Sequence, residues 1–250
     1  MRNVMKYKII RKNLGDSEIL WRYMDLPKFL SLLSSETIWL ARSDTFKDKR
    51  EGLFHSAMRS ELDRIYADLE RKGEIPSDAQ IKNTSDYQRY LSDNTYISCW
   101  HKNSAENMVM WEIYGQSENS IAIKTTVERL ESSFDLTDVY RDALEFALDE
   151  VKYIEHDSAP SESNPRQPFF LKRSHFSFEK EARLYLFARD RKSRGESPSG
   201  YNINLDIKKL IESVYVHPDS EEWFFNSIKD LVVKYNLDVP VKRGSFGNKF

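Results

Sequence analysis

Short strand-like runs interrupted by helices of unequal length predict an α+β fold: a single domain with a mixed, largely antiparallel sheet and covering helices. Two further observations support this class. The regular strand-helix alternation of a doubly wound sheet is missing, and no internal repeat or second core divides the 250 residues. A chain of this length buries a substantial core without staples.

The first strand is read at residues 19–23. Asp25 then caps a helix that carries Pro27 in its first turn and Phe29, Leu30 and Leu33 on one face. A second strand follows at 37–41, and a polar loop at 42–52. Leu62, Ile65, Tyr66 and Leu69 give the next helix an apolar stripe that ends near Gly73. A surface connection and a short helix at 85–91 lead to the stretch 95–126, which reads as strand, helix, strand. Residues 96–100 are β-rich. Residues 105–114 are apolar on every face, which predicts a buried helix stopped by Gly115 as a C′ glycine. Ile121 and Ile123 alternate with smaller or polar neighbours. This arrangement brings Trp100, His101, Trp111 and Tyr114 into one region.

Beyond it, Thr125 with Glu128 fits a capping box. Residues 137–148 read as helix, 151–154 as strand, and the Ser, Pro and Asn of 156–168 as a mobile loop. Residues 169–181 place Lys172, Arg173, His175, Glu179 and Glu181 among aromatics and feed a strand at 182–187. A charged turn at 189–200 leads to a strand at 201–205. Asp206 caps a short helix, 213–217 is a strand, Pro218 and Asp219 open a helix to Tyr235, and 239–242 supplies the last strand.

Composition narrows the function classes. The 38 basic and 40 acidic side chains leave no global field toward DNA or an anionic membrane, so nucleic-acid binding is open only as a local patch and is not favoured. The single cysteine, Cys99, excludes an internal disulfide and a cysteine-based zinc site, and its strand position predicts a buried, inert thiol. No metal is expected. No run is long enough to span a bilayer, and the N-terminal residues lack an apolar secretion core, so a cytoplasmic protein with no membrane partner is expected. The chain carries no P-loop, no dinucleotide-binding glycine fingerprint, no His-Glu-x-x-His and no Gly-x-Ser-x-Gly.

Leu20-Trp21-Arg22-Tyr23, Ser43-Asp44 to Glu51-Gly52, Cys99-Trp100, the block Asn107 to Gly115, Val151-Lys152-Tyr153, and Phe170-Leu171-Lys172 through Phe178-Glu179-Lys180-Glu181-Ala182-Arg183-Leu184 together resemble the bacterial family catalogued as domain of unknown function (DUF) 2971. The match runs in order over most of the chain. It departs in the first loop, where the family has Asn-Asp-Pro-Phe-Glu and this chain has Lys47-Asp48-Lys49-Arg50-Glu51. A remoter similarity is to toxin-type mono-ADP-ribosyltransferases, which carry an Arg on the first strand, a Ser opening a middle strand motif and a Glu-x-Glu at a later strand entry. Arg22, Ser98 and Glu179-Lys180-Glu181 stand in that order, although Ser98-Cys99-Trp100 departs from the usual Ser-Thr-Ser.

That similarity implies NAD as substrate and a macromolecular acceptor, as in a bacterial toxin or phage-defence effector. Arg22 would bind the pyrophosphate, Glu181 would stabilise the oxocarbenium-like transition state and Glu179 would orient the acceptor. Ser98, Trp100, His101 and Tyr114 complete the implied cofactor-binding set. The plainer reading pairs Glu181 with Arg183 or Lys172 as a structural ion pair, and Arg22 with a carboxylate. Two other functions stand beside the transferase: a non-catalytic protein-interaction module using the aromatic region, and a nucleic-acid binding or processing protein. Convergence of Arg22, Ser98 and Glu181 on one cleft separates them.

Overall fold

Asp25 ends the first strand and starts the first helix, as its spacing predicts: its carboxylate accepts from the backbone N–H of Lys28 at 2.9 Å. The structure is a computed structural model that describes residues 9–137, 139, 143–155, 164–188 and 198–245. Within them the order is β1 (Ile19–Asp25), α1 (Leu26–Ser35), β2 (Thr37–Arg42), α2 (Ser56–Arg71), α3 (Thr84–Asn94), β3 (Thr95–Lys102), α4 (Met108–Met110), β4 (Ser120–Thr126), α5 (Val127–Ser133), β5 (Ala143–Glu150) and β6 (Lys152–Ile154). It continues with β7 (Leu171–Arg173), β8 (Glu181–Ala188), β9 (Gly200–Asn204), α6 (Ile207–Leu210), β10 (Ser213–Val216), α7 (Glu222–Lys234) and β11 (Val241–Arg243).

Every pairing in the main sheet is antiparallel except β10 with β11, and a separate parallel pair joins β6 to β7. The mixed, largely antiparallel sheet is therefore present. Its largest apolar cluster packs α1, α5, α6 and α7 against one face through Phe29, Leu33, Leu130, Leu210, Phe224 and Ile228.

The sheet forks at β3. One edge of β3 pairs with β8 from Thr95 to His101. The other edge meets β1 only at Leu20/Lys102 and Trp21/His101, and β2 only at Ala41/Ile97 and Arg42/Tyr96. Between those contacts β1 and β2 part from residues 98–100 and leave a wedge.

Several sequence expectations are corrected. Of residues 137–148, read as helix, 143–148 belong instead to β5, because pairing with β8 outweighs intrinsic propensity; 138 and 140–142 lie outside the described residues. The helix at 105–114 is not buried all round: only three residues are α-helical, Asn107 caps them, and Trp111–Gly115 closes a π turn. The left-handed residue that ends it is Gln116 (φ 63°). Gly115 is needed instead because a Cβ there would meet the Ser120 hydroxyl at 2.5 Å. The N-cap of α5 is Thr126, whose hydroxyl accepts from Arg129 N, while Thr125 donates to the Leu210 carbonyl. In α2 only Met58 is fully buried, so the stripe through Ile65 is a shallow one. Residues 156–163 and 189–197 lie outside the described residues; 164–168 lead into a 3₁₀ turn in which Pro168 is buried.

Candidate functional site

The wedge opens into a cavity of about 630 Å³ lined by Arg22, Ser98, Cys99, Trp100, His101, Tyr114, Glu179 and Glu181, with Trp39 and Phe46 also on its walls. All seven residues singled out from the sequence thus face one space. They reach it from both sides of the sheet. Register groups Arg22 with Ser98 and Trp100 on one face, and Glu181 with His101 and Cys99 on the other. On a continuous sheet those sets would be separated, and the fork is what lets one cavity touch both.

Arg22 bridges the wedge. Nη1 donates to Ser98 Oγ at 2.6 Å and Nη2 to the Trp39 carbonyl at 3.4 Å, and the guanidinium lies 5.5 Å from the Trp100 ring centre. Among the described residues no carboxylate pairs with it, contrary to the structural reading of Arg22 as an ion-pair partner. Burial without such a partner pulls its pKa down to about 10.

The opposite end holds a cluster of five charges. Lys172 Nζ contacts Glu179 (2.5 Å), Glu51 (3.1 Å) and Glu181 (3.3 Å). Arg183 grips Glu181 through Nε (2.7 Å) and Nη2 (3.0 Å), reaches Glu51 at 2.5 Å and donates Nη1 to the Phe169 carbonyl at 2.7 Å. Burial would raise the Glu181 pKa, but Arg183 and then Lys172 overcome it and hold the carboxyl at about 2. In Glu179 burial prevails with help from Glu181, and its pKa rises despite Lys172 and Tyr114. The ion pairs foreseen for Glu181 with Lys172 and Arg183 are both formed.

Glu179 and Glu181 do not reach Lys172 by strand alternation, which on an extended backbone would point residues two apart to one face. Glu179 ends a 3₁₀ turn, Lys180 takes a left-handed φ of 40° before β8, and both carboxylates contact Lys172. Tyr114 donates its hydroxyl to Glu179 at 2.9 Å, and Tyr153 accepts from the backbone N–H of Glu181 at 2.8 Å. His101 donates Nδ1 to the Glu179 carbonyl at 2.6 Å; burial lowers its pKa, so it is held neutral. His101 Nε2 and Trp100 Nε1 are buried without a partner among the described residues.

Cys99 is not buried as predicted. It is exposed to the cavity it lines, because its position on β3 faces the wedge. Enclosure by protein, with Glu181 beside it, raises the thiol pKa well above the ordinary value, which keeps it protonated and a weak nucleophile. Trp111 is buried as expected, its Nε1 donating to Glu106 at 3.0 Å. His175 is exposed.

Sequence reasoning missed Glu51, Trp39 and Tyr153. Glu51 joins the cluster from a polar loop more than a hundred residues away in sequence, and nothing local to it distinguishes it from its charged neighbours. No helix among the described residues is long and apolar enough to cross a membrane, and no group of three or more His, Cys, Asp or Glu side chains among them is placed to hold a metal ion.

No protein-family model matches the chain, and no curated protein matches it. The resemblance to the family of domain of unknown function 2971 therefore rests on the quoted motifs alone. Among solved structures, Thermus sp. 2.9 DarT in complex with ADP-ribosylated ssDNA is 9% identical, covering 94% of this chain and 98% of that chain with a TM-score of 0.38. The same protein in complex with NAD+ is 8% identical over 92% and 97%, with a TM-score of 0.39. At scores this low the likeness carries no argument about the site.

Proposed function

We propose that the cavity binds NAD and that the protein is an ADP-ribosyltransferase-like enzyme acting on a macromolecular acceptor, in the manner of a toxin or phage-defence effector. The observation that carries this reading is Arg22: a guanidinium on a cavity wall, desolvated and without a carboxylate partner among the described residues. Such a group favours an anionic ligand, and its planar fork suits a pyrophosphate. The cavity volume falls in the range of cofactor sites.

The chemistry then divides between the two carboxylates. The bond from the ribose anomeric carbon to the nicotinamide nitrogen breaks with its electron pair leaving on nicotinamide, and positive charge builds on the ribose. Glu181, ionised at any working pH and held in place by Arg183, supplies the compensating negative charge. The acceptor nucleophile bonds to the same carbon and gives up a proton, and Glu179, with its raised pKa, is the group suited to receive it.

Nicotinamide release from NAD by Glu181→Gln tests the assignment. The variant should keep NAD binding and lose turnover by roughly 100-fold or more. Undiminished release would remove Glu181 from the chemistry.

A further inference from the structure

Of the five tryptophans, Trp21, Trp39 and Trp100 line the cavity. Trp21 and Trp100 are 2% and 1% exposed, and the Trp100 ring already carries the Arg22 guanidinium, whereas Trp39 is 44% exposed. Strand alternation accounts for the difference. Ile38 and Leu40 turn into the core, so Thr37, Trp39 and Ala41 take the opposite face of β2, and these three line the cavity together with Asn202, the partner of Trp39 on β9.

The indole is supported from behind. A Cβ at Gly200 would meet Trp39 Cζ2, Cε2 and Cη2 at 2.0, 2.3 and 2.5 Å. Three adjacent ring atoms at such similar distances put that point over the ring face, since an approach at the edge reaches one atom well before its neighbours. One face of the ring therefore lies on the β9 backbone, where a side chain would block it, and the exposure belongs to the other face. A rigid aromatic ledge, backed on one side and open on the other, suits a planar heteroaromatic ring.

Position selects which ring. Arg22 donates to Ser98 on β3 and to the carbonyl of Trp39 itself, so the ledge adjoins the group assigned to the pyrophosphate. Glu181 stands on β8, which pairs with the edge of β3 away from β1 and β2. In NAD the pyrophosphate separates the nicotinamide ribose from the adenosine. With the nicotinamide ribose at Glu181 and the pyrophosphate at Arg22, the adenine falls on the β2 side, at Trp39.

We infer that Trp39, backed by Gly200, is the residue on which the adenine of NAD stacks; the inference rests on the NAD reading above.

Calorimetric titration of the full chain tests it with ADP-ribose, which keeps adenine and lacks nicotinamide, and with nicotinamide mononucleotide, which has the reverse. The parent should bind ADP-ribose saturably at millimolar concentration or below. Trp39→Leu should weaken ADP-ribose roughly tenfold or more, Gly200→Ala should weaken it by displacing the indole, and Trp39→Phe, which keeps a ring, should retain most of the affinity. Nicotinamide mononucleotide should have the same affinity for Trp39→Leu as for the parent. ADP-ribose binding that is absent from the parent, unchanged in Trp39→Leu or lost equally in Trp39→Phe overturns the inference, and so does a loss confined to nicotinamide mononucleotide. Nicotinamide release separates this inference from the reading beneath it. NAD cleaved by the parent with the same KM in Trp39→Leu removes the ledge and leaves the transferase, while ADP-ribose binding that depends on Trp39 without cleavage of NAD removes the transferase and leaves an adenine-nucleotide site.

Discussion

The two ends of the cavity handle charge in opposite ways. At the fork, Arg22 donates to neutral oxygens of Ser98 and Trp39 and has no carboxylate partner among the described residues. At the other end, three carboxylates, Glu51, Glu179 and Glu181, share two cations, Lys172 and Arg183, in a network that is itself buried. A buried charge that is over-supplied with partners is part of the framework, while one that lacks a counter-ion is prepared for a ligand. On the proposed reading Arg22 is the binding group, and the cluster is first a structural device that also fixes the ionisation of the two glutamates.

Cutting each arginine to a side chain without charge is the strongest way to break this comparison. Arg183→Met strands three carboxylates against one lysine and should cost about 3–5 kcal/mol or prevent folding, whereas Arg22→Met loses hydrogen bonds to neutral groups and should cost about 1 kcal/mol in chemical denaturation. Equal costs would show that Arg22 is as structural as Arg183.

Acid titration sharpens it. The folded pKa of Glu181, about 2, lies below its ordinary 4.5. Its contribution to stability is therefore complete above about pH 4.5 and is lost as pH falls toward 2, a change on the order of 3 kcal/mol. Glu179, whose pKa is raised, has the opposite sign: it favours the folded state while protonated and costs stability as pH rises through its folded pKa. Denaturation midpoints measured from pH 6 to 2 should fall steeply in the parent chain below pH 4.5 and lose most of that slope in Glu181→Gln. The same slope in both would place the acid sensitivity elsewhere.

The parts of this picture that sequence alone reveals are those set by neighbours along the chain. Asp25 caps α1 because an acceptor three residues before an N–H suffices, and Trp111 is buried because its neighbours are apolar. The pairing of Glu181 with Lys172 and Arg183 is also visible, since all three sit within twelve residues. What depends on distant chain is not visible. Residues 143–150 have helical composition and become a strand only because β8 lies alongside. The fork needs three strands to meet β3, and no pattern within Tyr96 to Trp100 announces that one edge will be left open. The π turn defeats the reading of 105–114 as a buried helix, since one extra residue per closure turns Ile113 and Tyr114 outward while Trp111 stays in.

The central claim, that the unneutralised guanidinium at the fork makes this cavity a dinucleotide site, is tested most directly by calorimetric titration of NAD into the parent chain and into Arg22→Met. The account predicts a saturable heat in the parent at millimolar NAD or below, and an affinity at least roughly tenfold weaker in Arg22→Met, the scale of a lost charge-assisted bidentate contact. No heat in the parent at millimolar NAD, or the same affinity in both proteins, would contradict it.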